Sequence, residues 1–488
     1  MIEIVCRREW YTYNVYHITK AFFPEEDVQQ KVEEESKYEV SVKKEGDVIL
    51  AITEDELFKK DPSLKDPDVV NEKKKRKYQV DRMVYACYQN ITGKELAWGL
   101  LTGVRPTKIA MAALEKGMKK EEFVSWFMED SLVSEEKARL AYEIAGREKA
   151  LLGRLDYENG YSMYVGIPFC PSICSYCSFS SGSISQWKDY IEDYVEALCK
   201  EIRFIGESSK EKKLDTIYIG GGTPTSLSAK QLDRLLTVID ENFDRKEVLE
   251  YTVEAGRPDS ITVEKLEVLR KHDITRISIN PQTMQDRTLE LVGRKHTAED
   301  VVTIFKKARE MGFDNINMDL IAGLPGETEE DMEDTLSKIE ALKPDSLTVH
   351  ALAIKRAAKM GQEERKAGFG KEITAMVKSA AMAAEKMGLK PYYLYRQKNI
   401  AGNFENVGYA KVDKAGIYNI LIMEEKQSII AAGAGSSTKI VLKDPIIMPG
   451  SKNKKETTLV RVENVKNIRE YIERIDEMIE RKGEWLWR

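Results

Sequence analysis

A chain of 488 residues exceeds what one hydrophobic core usually supports, so two or three domains are expected. With 42% hydrophobic and 32% charged residues the composition is that of a soluble globular protein, and a formal charge of −6 removes bulk electrostatics as a basis for nucleic-acid binding. The start MIEIVCRREW has no apolar signal core, no run approaches 18 apolar residues, and six cysteines are too few and too unevenly placed for a disulfide framework, so a cytoplasmic protein without a membrane span is expected.

Residues 1–155 read as an α+β accessory domain. YNVYHITKAFF (Tyr13 to Phe23) and YEVSVKKEGDVILAITE (Tyr38 to Glu54) predict a few strands, and residues from about Arg76 to Ala150 predict helices. LLTGVRPTKIA interrupts them, with a turn at Gly103 and Pro106 placed to open a helix. Arg105 there is either a substrate or partner contact or part of a structural turn between domains. The runs EKKKRK (Glu72 to Lys77) and SKNKK (Ser451 to Lys455) read as solvated loops.

From Tyr161 onward short apolar runs alternate with helical patterns. YSMYVGIP, LDTIYIGGG, YTVEAG, TRISINPQ, NINMDLIAGLP and SLTVHALAI read as strands, and Ile191, Tyr194, Val195, Leu198 and Ile202 mark one face of an intervening helix. Repeated βα units imply an α/β fold with a parallel sheet and right-handed crossovers. Six units are too few for a closed eightfold barrel, so residues 156–396 are expected to form an open, partial (β/α)6 barrel, with KPYYLYR (Lys390 to Arg396) as a further strand. Residues 397–488 then add a small, substrate-covering region: IYNILIM, SIIAAGAG and TKIVLK as β structure, and a charged helix from about Glu463 to Arg481.

Three of the six cysteines, Cys170, Cys174 and Cys177, stand in the stretch GIPFCPSICSYCSFSS with spacing C-x3-C-x2-C, directly after the first βα strand, at the rim where such sheets carry their sites. Three thiolates on one loop can hold three irons of a [4Fe–4S] cubane and leave the fourth open to a ligand. Zinc is the alternative, but it needs a fourth nearby Cys or His, and the next cysteine, Cys199, is 22 residues on. Cys6, Cys87 and Cys199 read as ordinary thiols. Further along, Gly220, Gly221 and Gly222 end the second strand and allow close approach of a ligand or a tight turn; Glu254 closes the third strand, either as a surface or capping acid or as a ligand.

The spacing, with an aromatic before the last cysteine, resembles the radical S-adenosylmethionine superfamily. That resemblance implies that the open iron chelates S-adenosylmethionine and that one electron cleaves it to a hydrogen-abstracting radical. YVGIPFC, GGGTPT, the pair Gln282 and Arg294, and DLIAGLPGE (Asp319 onward) together resemble the narrower oxygen-independent coproporphyrinogen III dehydrogenase group, and LTGVRPTK with YRQKNIAGNFENVGYA its HemZ-type branch. The group's two-cofactor arrangement, carried over by motif, implies that Tyr164, Gly221 and Glu254 hold one S-adenosylmethionine. Tyr176, Gly222, Thr223, Gln282, Arg294 and Asp319 would contact a second.

The implied reaction is oxidative decarboxylation of two propionates of coproporphyrinogen III to vinyls, with Arg396, Gln397, Lys398 and Asn399 as candidate partners of the remaining carboxylates. The resemblance also admits, as alternatives, a radical enzyme that opens heme and a heme-binding chaperone; His350 is placed to be either an axial ligand or a pocket histidine. The group also implies a tetrapyrrole partner and a reductant such as flavodoxin or ferredoxin. Two positions depart from the decarboxylase pattern: Phe179 stands where it carries a fourth cysteine, and Gly166 where it has histidine.

Overall fold

A computed structural model describes residues 1–64, 70–103, 105–179, 181–352, 371–396, 405–448 and 456–487. The chain begins with β1 (Ile2–Cys6), α1 (Glu9–Phe22), β2 (Val28–Val32), β3 (Val40–Lys44), β4 (Asp47–Ile52), α2 (Glu54–Lys60) and α3 (Val70–Thr92). Its four strands form a sheet in the order β2-β1-β3-β4, and α1 packs on α3 around a separate core that includes Val15, Phe22, Val80 and Tyr88. The strands expected within Tyr38 to Glu54 are β3 and β4, paired antiparallel. Tyr13 to Phe22, expected as strand, is helix instead. The buried Tyr11, Val15, Ile18 and Phe22 recur at intervals of four, three and four, and that helical period outweighs the strand preference of Val, Ile and Tyr.

Helices α4 (Thr107–Glu115), α5 (Lys120–Ser131) and α6 (Glu135–Leu152) lead into β5 (Gly160–Ile167), and their Phe123, Phe127 and Ile144 share one core with Met163 and Val165 of that strand. A two-residue pair follows, β6 (Phe169–Cys170) with β7 (Gly182–Ser183), then α7 (Ile191–Ser208). The βα repeat continues as β8 (Lys213–Gly221), α8 (Ala229–Asn242), β9 (Glu250–Gly256), α9 (Val263–Lys271), β10 (Arg276–Ile279), α10 (Asp286–Leu291), α11 (Ala298–Glu310), β11 (Ile316–Ala322), α12 (Glu329–Leu342), β12 (Ser346–Ala351) and α13 (Lys371–Lys386). The remainder is β13 (Lys390–Arg396), β14 (Glu405–Ala410), α14 (Ile417–Glu424), β15 (Ser428–Ala432), β16 (Ser437–Ile447), β17 (Glu456–Glu463), α15 (Ile468–Glu473) and α16 (Ile475–Gly483).

One eleven-stranded sheet runs β13-β14-β12-β11-β10-β9-β8-β5-β15-β16-β17. The six expected strands β5, β8, β9, β10, β11 and β12 lie side by side and parallel, as short βα crossovers require. The sheet is an open partial barrel, since its terminal strands β13 and β17 do not pair with each other among the described residues.

The C-terminal strands extend the barrel sheet itself. β15 runs parallel to β5, with Ser428 opposite Tyr161 and Ala432 opposite Val165, while β16 and β17 continue antiparallel. IYNILIM, expected as a strand, is α14. A short apolar run does not reveal its period, and here the buried Glu250 of β9 accepts a hydrogen bond from the Ile417 amide, satisfying a donor that the first turn of a helix leaves open. The charged segment after Glu463 is two short helices, α15 and α16, packed on α7. A fully buried ion pair joins them to the barrel, Lys482 Nζ to Glu201 Oε1 at 2.9 Å. Among the described residues no helix is long and apolar enough to cross a membrane.

Candidate functional site

At the carboxyl ends of the parallel strands the sheet opens into a cavity of about 520 Å³. Cys170, Cys174 and Cys177 line it, together with all nine predicted cofactor residues: Tyr164, Tyr176, Gly221, Gly222, Thr223, Glu254, Gln282, Arg294 and Asp319. They reach it from successive strand ends because parallel strands present their carboxyl termini to one rim.

The cysteine loop is closed at its base by β6 and β7, where Gly182 N donates to Pro168 O (2.9 Å) and Ile184 N to Cys170 O (2.8 Å). Its tip is held by Ser175 N on Val292 O (3.1 Å) and Ser172 Oγ on Gly293 O (2.8 Å). The glycine loop lies directly against it: Gly222 N donates to Ile167 O and Thr223 N to Phe169 O, both at 2.7 Å, and the Thr223 hydroxyl reaches Cys170 Sγ at 3.6 Å. A Cβ on Gly222 would stand 2.6 Å from Phe169 O, so this glycine is required by loop-to-loop contact. Gly221, at φ +108°, takes a conformation that favours glycine.

Two carboxyls face the cavity in unlike surroundings. Burial pushes Glu254 up to about 7, the Tyr218 hydroxyl that donates to it opposes the rise, and the Asp319 charge adds to it. Asp319, although half-buried, is held below its ordinary value by His350 and by the donors Asn317 and Thr348; Asn317 Nδ2 lies 2.7 Å from Asp319 Oδ1. Glu254 therefore titrates near neutrality while Asp319 stays ionised, a separation typical of functional carboxyl pairs. Beside Glu254 the rings of Tyr164, Tyr218 and Tyr418 stack, the last two with centroids 4.4 Å apart.

Gln282 sits at φ +69°, a strained position fixed by Gln282 N on Asp319 O and Ile321 N on Gln282 O, both at 2.9 Å. Its buried Oε1 has no partner among the described residues, leaving an acceptor for a ligand donor. Arg294 is 5% exposed and bridges the loops, donating to the Tyr176 hydroxyl (3.1 Å) and to Asn280 O (2.6 Å). His350 has Nδ1 at 3.2 Å from the Tyr395 hydroxyl and Nε2 at 3.9 Å from Asp319, so both ring nitrogens already face partners.

Arg396 does not line the cavity. It is buried over the Trp98 ring and donates to Leu101 O (2.7 Å) and Gly103 O (3.3 Å), which ties β13 to the segment before α4. Its role there is a correction to the expected carboxylate contact. Gln397, Lys398 and Asn399 lie outside the described residues. Arg105 likewise serves the fold, donating to Met423 O and to Glu425 Oε2 (2.7 Å) at the end of α14.

Sequence reasoning missed Tyr218, Arg257 and Arg276, all cavity-lining. Tyr218 was legible as the residue two before Gly220 on β8, hence on the same face. Arg257 follows the left-handed Gly256 and turns back to the cysteine loop.

Free thiols on one loop suit a cubane, in which each thiolate takes its own iron and the three need not converge. Burial raises the Cys170 and Cys177 thiols, a cost that metal binding, which requires the thiolate, offsets.

Comparison with known proteins agrees. The family model described as the radical SAM superfamily matches residues 164–339. The chain is 44% identical over 376 residues, 75% of each chain, to the oxygen-independent coproporphyrinogen-III oxidase-like protein HemZ of Bacillus subtilis. It is 39% identical over 194 residues to the heme chaperone HemW of the same organism, covering 40% of this chain and 50% of that one. Among solved structures, coproporphyrinogen III oxidase (HemN) from Escherichia coli shares the fold at a TM-score of 0.50 and 22% identity, over 68% of this chain and 72% of that one. The family uses a [4Fe–4S] cluster and S-adenosylmethionine. The chain belongs to the radical S-adenosylmethionine superfamily, in the oxygen-independent coproporphyrinogen III oxidase-like group that includes HemZ.

Proposed function

We propose that the protein is a radical S-adenosylmethionine oxidoreductase that decarboxylates the propionates of coproporphyrinogen III to vinyls, giving protoporphyrinogen IX. The observation that carries this reading is the gathering of both expected sets of cofactor residues, with the three cysteines, around one cavity. When bound, the cluster and S-adenosylmethionine supply an electron and a hydrogen-abstracting radical.

In this reading Cys170, Cys174 and Cys177 hold the cluster. Tyr164, Gly221 and Glu254 bind one cofactor, and Tyr176, Gly222, Thr223, Gln282, Arg294 and Asp319 contact a second. The ionised Glu254 attracts a cationic ligand, and the unpaired side-chain Oε1 of Gln282 orients a donor. Ile321, Leu352, Ile422 and Met423 offer apolar wall to a macrocycle, and Phe179, 72% exposed at the mouth, adds to it. A low-potential donor such as flavodoxin or ferredoxin, in the cytoplasm, would supply the electron.

S-adenosylmethionine affinity should weaken about tenfold between pH 8 and pH 6, as the ionised fraction of a carboxyl titrating near 7 falls from about nine-tenths to one-tenth. Equilibrium dialysis under anaerobic conditions checks it. Glu254→Gln should bind weakly at both values, and a wild-type profile that is flat would remove Glu254 from the binding set.

The reaction is tested anaerobically on protein reconstituted with iron and sulfide, reduced, and given S-adenosylmethionine with or without coproporphyrinogen III. Formation of 5′-deoxyadenosine that depends on the substrate, with loss of one or two carboxyl groups from the tetrapyrrole, is the expected result. Consumption of heme would point to a heme-opening enzyme instead. Tight heme binding with the cofactor untouched would establish a chaperone, a reading to which His350 lends no support because both its nitrogens face partners.

A further inference from the structure

Arg257 brings a full positive charge to a cysteine sulfur. Its guanidinium, 3% exposed, donates through Nη1 to Ser172 O (2.9 Å) and Ser172 Oγ (2.7 Å), and the same nitrogen reaches Cys174 Sγ at 3.9 Å. Its other edge is gripped by Asp259, whose two oxygens take Nε at 2.9 Å and Nη2 at 2.6 Å. The fork is thus locked with one edge towards the cysteine loop and a carboxylate behind it. Arg294, the other buried arginine at the loop, has its terminal nitrogens on Tyr176 and Asn280 instead.

We propose that Arg257 is a positioning residue for the iron–sulfur cluster and sets its reduction potential, with Asp259 as the opposing charge. The inference rests on the cluster assignment and not on which tetrapyrrole is used. Reduction adds one electron to a centre already surrounded by thiolates, with no bond made or broken. A buried cation donating towards one of those sulfurs stabilises the reduced form more than the oxidised form and raises the potential. The carboxylate behind it acts in the opposite sense and more weakly, because it is farther from the sulfur.

The two charges therefore predict shifts of opposite sign. The full chain and its variants are reconstituted anaerobically, iron per chain is measured, and the reduced cluster is followed by electron paramagnetic resonance during stepwise reduction with dithionite at poised potentials. Arg257→Gln should lower the midpoint potential, Asp259→Asn should raise it, and Arg257→Lys, which keeps the charge without the fork, should fall between wild type and Arg257→Gln. A residue that merely braced the loop would reduce iron uptake without producing opposed shifts. If Arg257→Gln fails to load, Arg257→Lys and Asp259→Asn decide the matter, and wild-type potentials in both overturn the inference. Loaded variants that all shift in one direction, or none that shifts, overturn it too. A wild-type chain that takes up no iron overturns the cluster assignment itself, and this inference with it.

Discussion

Glu201→Leu should destabilise the folded chain by about 3–5 kcal/mol, the range for breaking a buried ion pair on one side. The carboxylate is fully buried and holds four groups: Lys482 Nζ at 2.9 Å, the Tyr471 hydroxyl at 2.6 Å, the Gly433 amide at 2.9 Å and Asn464 Nδ2 at 2.8 Å. Leucine fills much of the volume but leaves a buried ammonium and three donors short of an acceptor. Lys482→Met removes the other half and should cost less, about 1–3 kcal/mol, because Glu201 keeps its three remaining donors. Urea unfolding of both variants checks the order. Equal costs, or costs below 1 kcal/mol, would mean that water reaches the pair and that it does not fasten α15 and α16 to α7. The first variant should also loosen iron binding, since Gly433 stands against the Gly166 backbone just upstream of the cysteine loop.

The second large effect is expected at Gly222. Alanine there places a methyl 2.6 Å from Phe169 O and 3.0 Å from Ile167 O, and both obstacles are backbone. The strain, about 1–3 kcal/mol for an added methyl in a packed site, falls on the loop-to-loop contact that seats Cys170 beside Thr223. Iron uptake after reconstitution should therefore drop sharply while the midpoint of thermal unfolding moves by only a few degrees. Gly220→Ala is the comparison. Its methyl meets the Tyr218 ring at 2.9 Å, a side chain and not the cysteine-loop backbone, so iron should be retained and S-adenosylmethionine binding weakened through the Tyr218–Glu254 contact. Equal iron loss in both would show that the glycines serve the turn in general and not this loop contact.

These two effects mark where the sequence speaks and where it does not. The cysteines, the glycines and the polar residues at strand ends could be placed because a parallel βα repeat delivers successive strand ends to one rim, so position along the chain converts directly to position in the site. Arg396 shows the limit. It ends β13 as expected, but whether its side chain turns to the cavity or to Leu101 and Gly103 depends on how the N-terminal helices dock, which no local pattern encodes. IYNILIM fails for a related reason: what makes it helical includes a carboxylate from β9, 167 residues away in sequence. YNVYHITKAFF was decidable, since its buried residues follow a helical period that strand-forming residue types obscure.

The pairing of β15 with β5 bears on how the chain is made. Tyr161 to Val165, which lead to the cysteine loop, acquire their second neighbour only from Ser428 to Ala432, more than 260 residues later. During synthesis β5 can pair with β8 as soon as that strand emerges, but its other edge stays open until nearly the whole barrel has been translated. An exposed parallel edge is slow to complete and prone to join other chains. Completion of the strand that leads to the cysteine loop is thereby a late event in folding, and expression conditions that slow elongation should yield more aggregated chain.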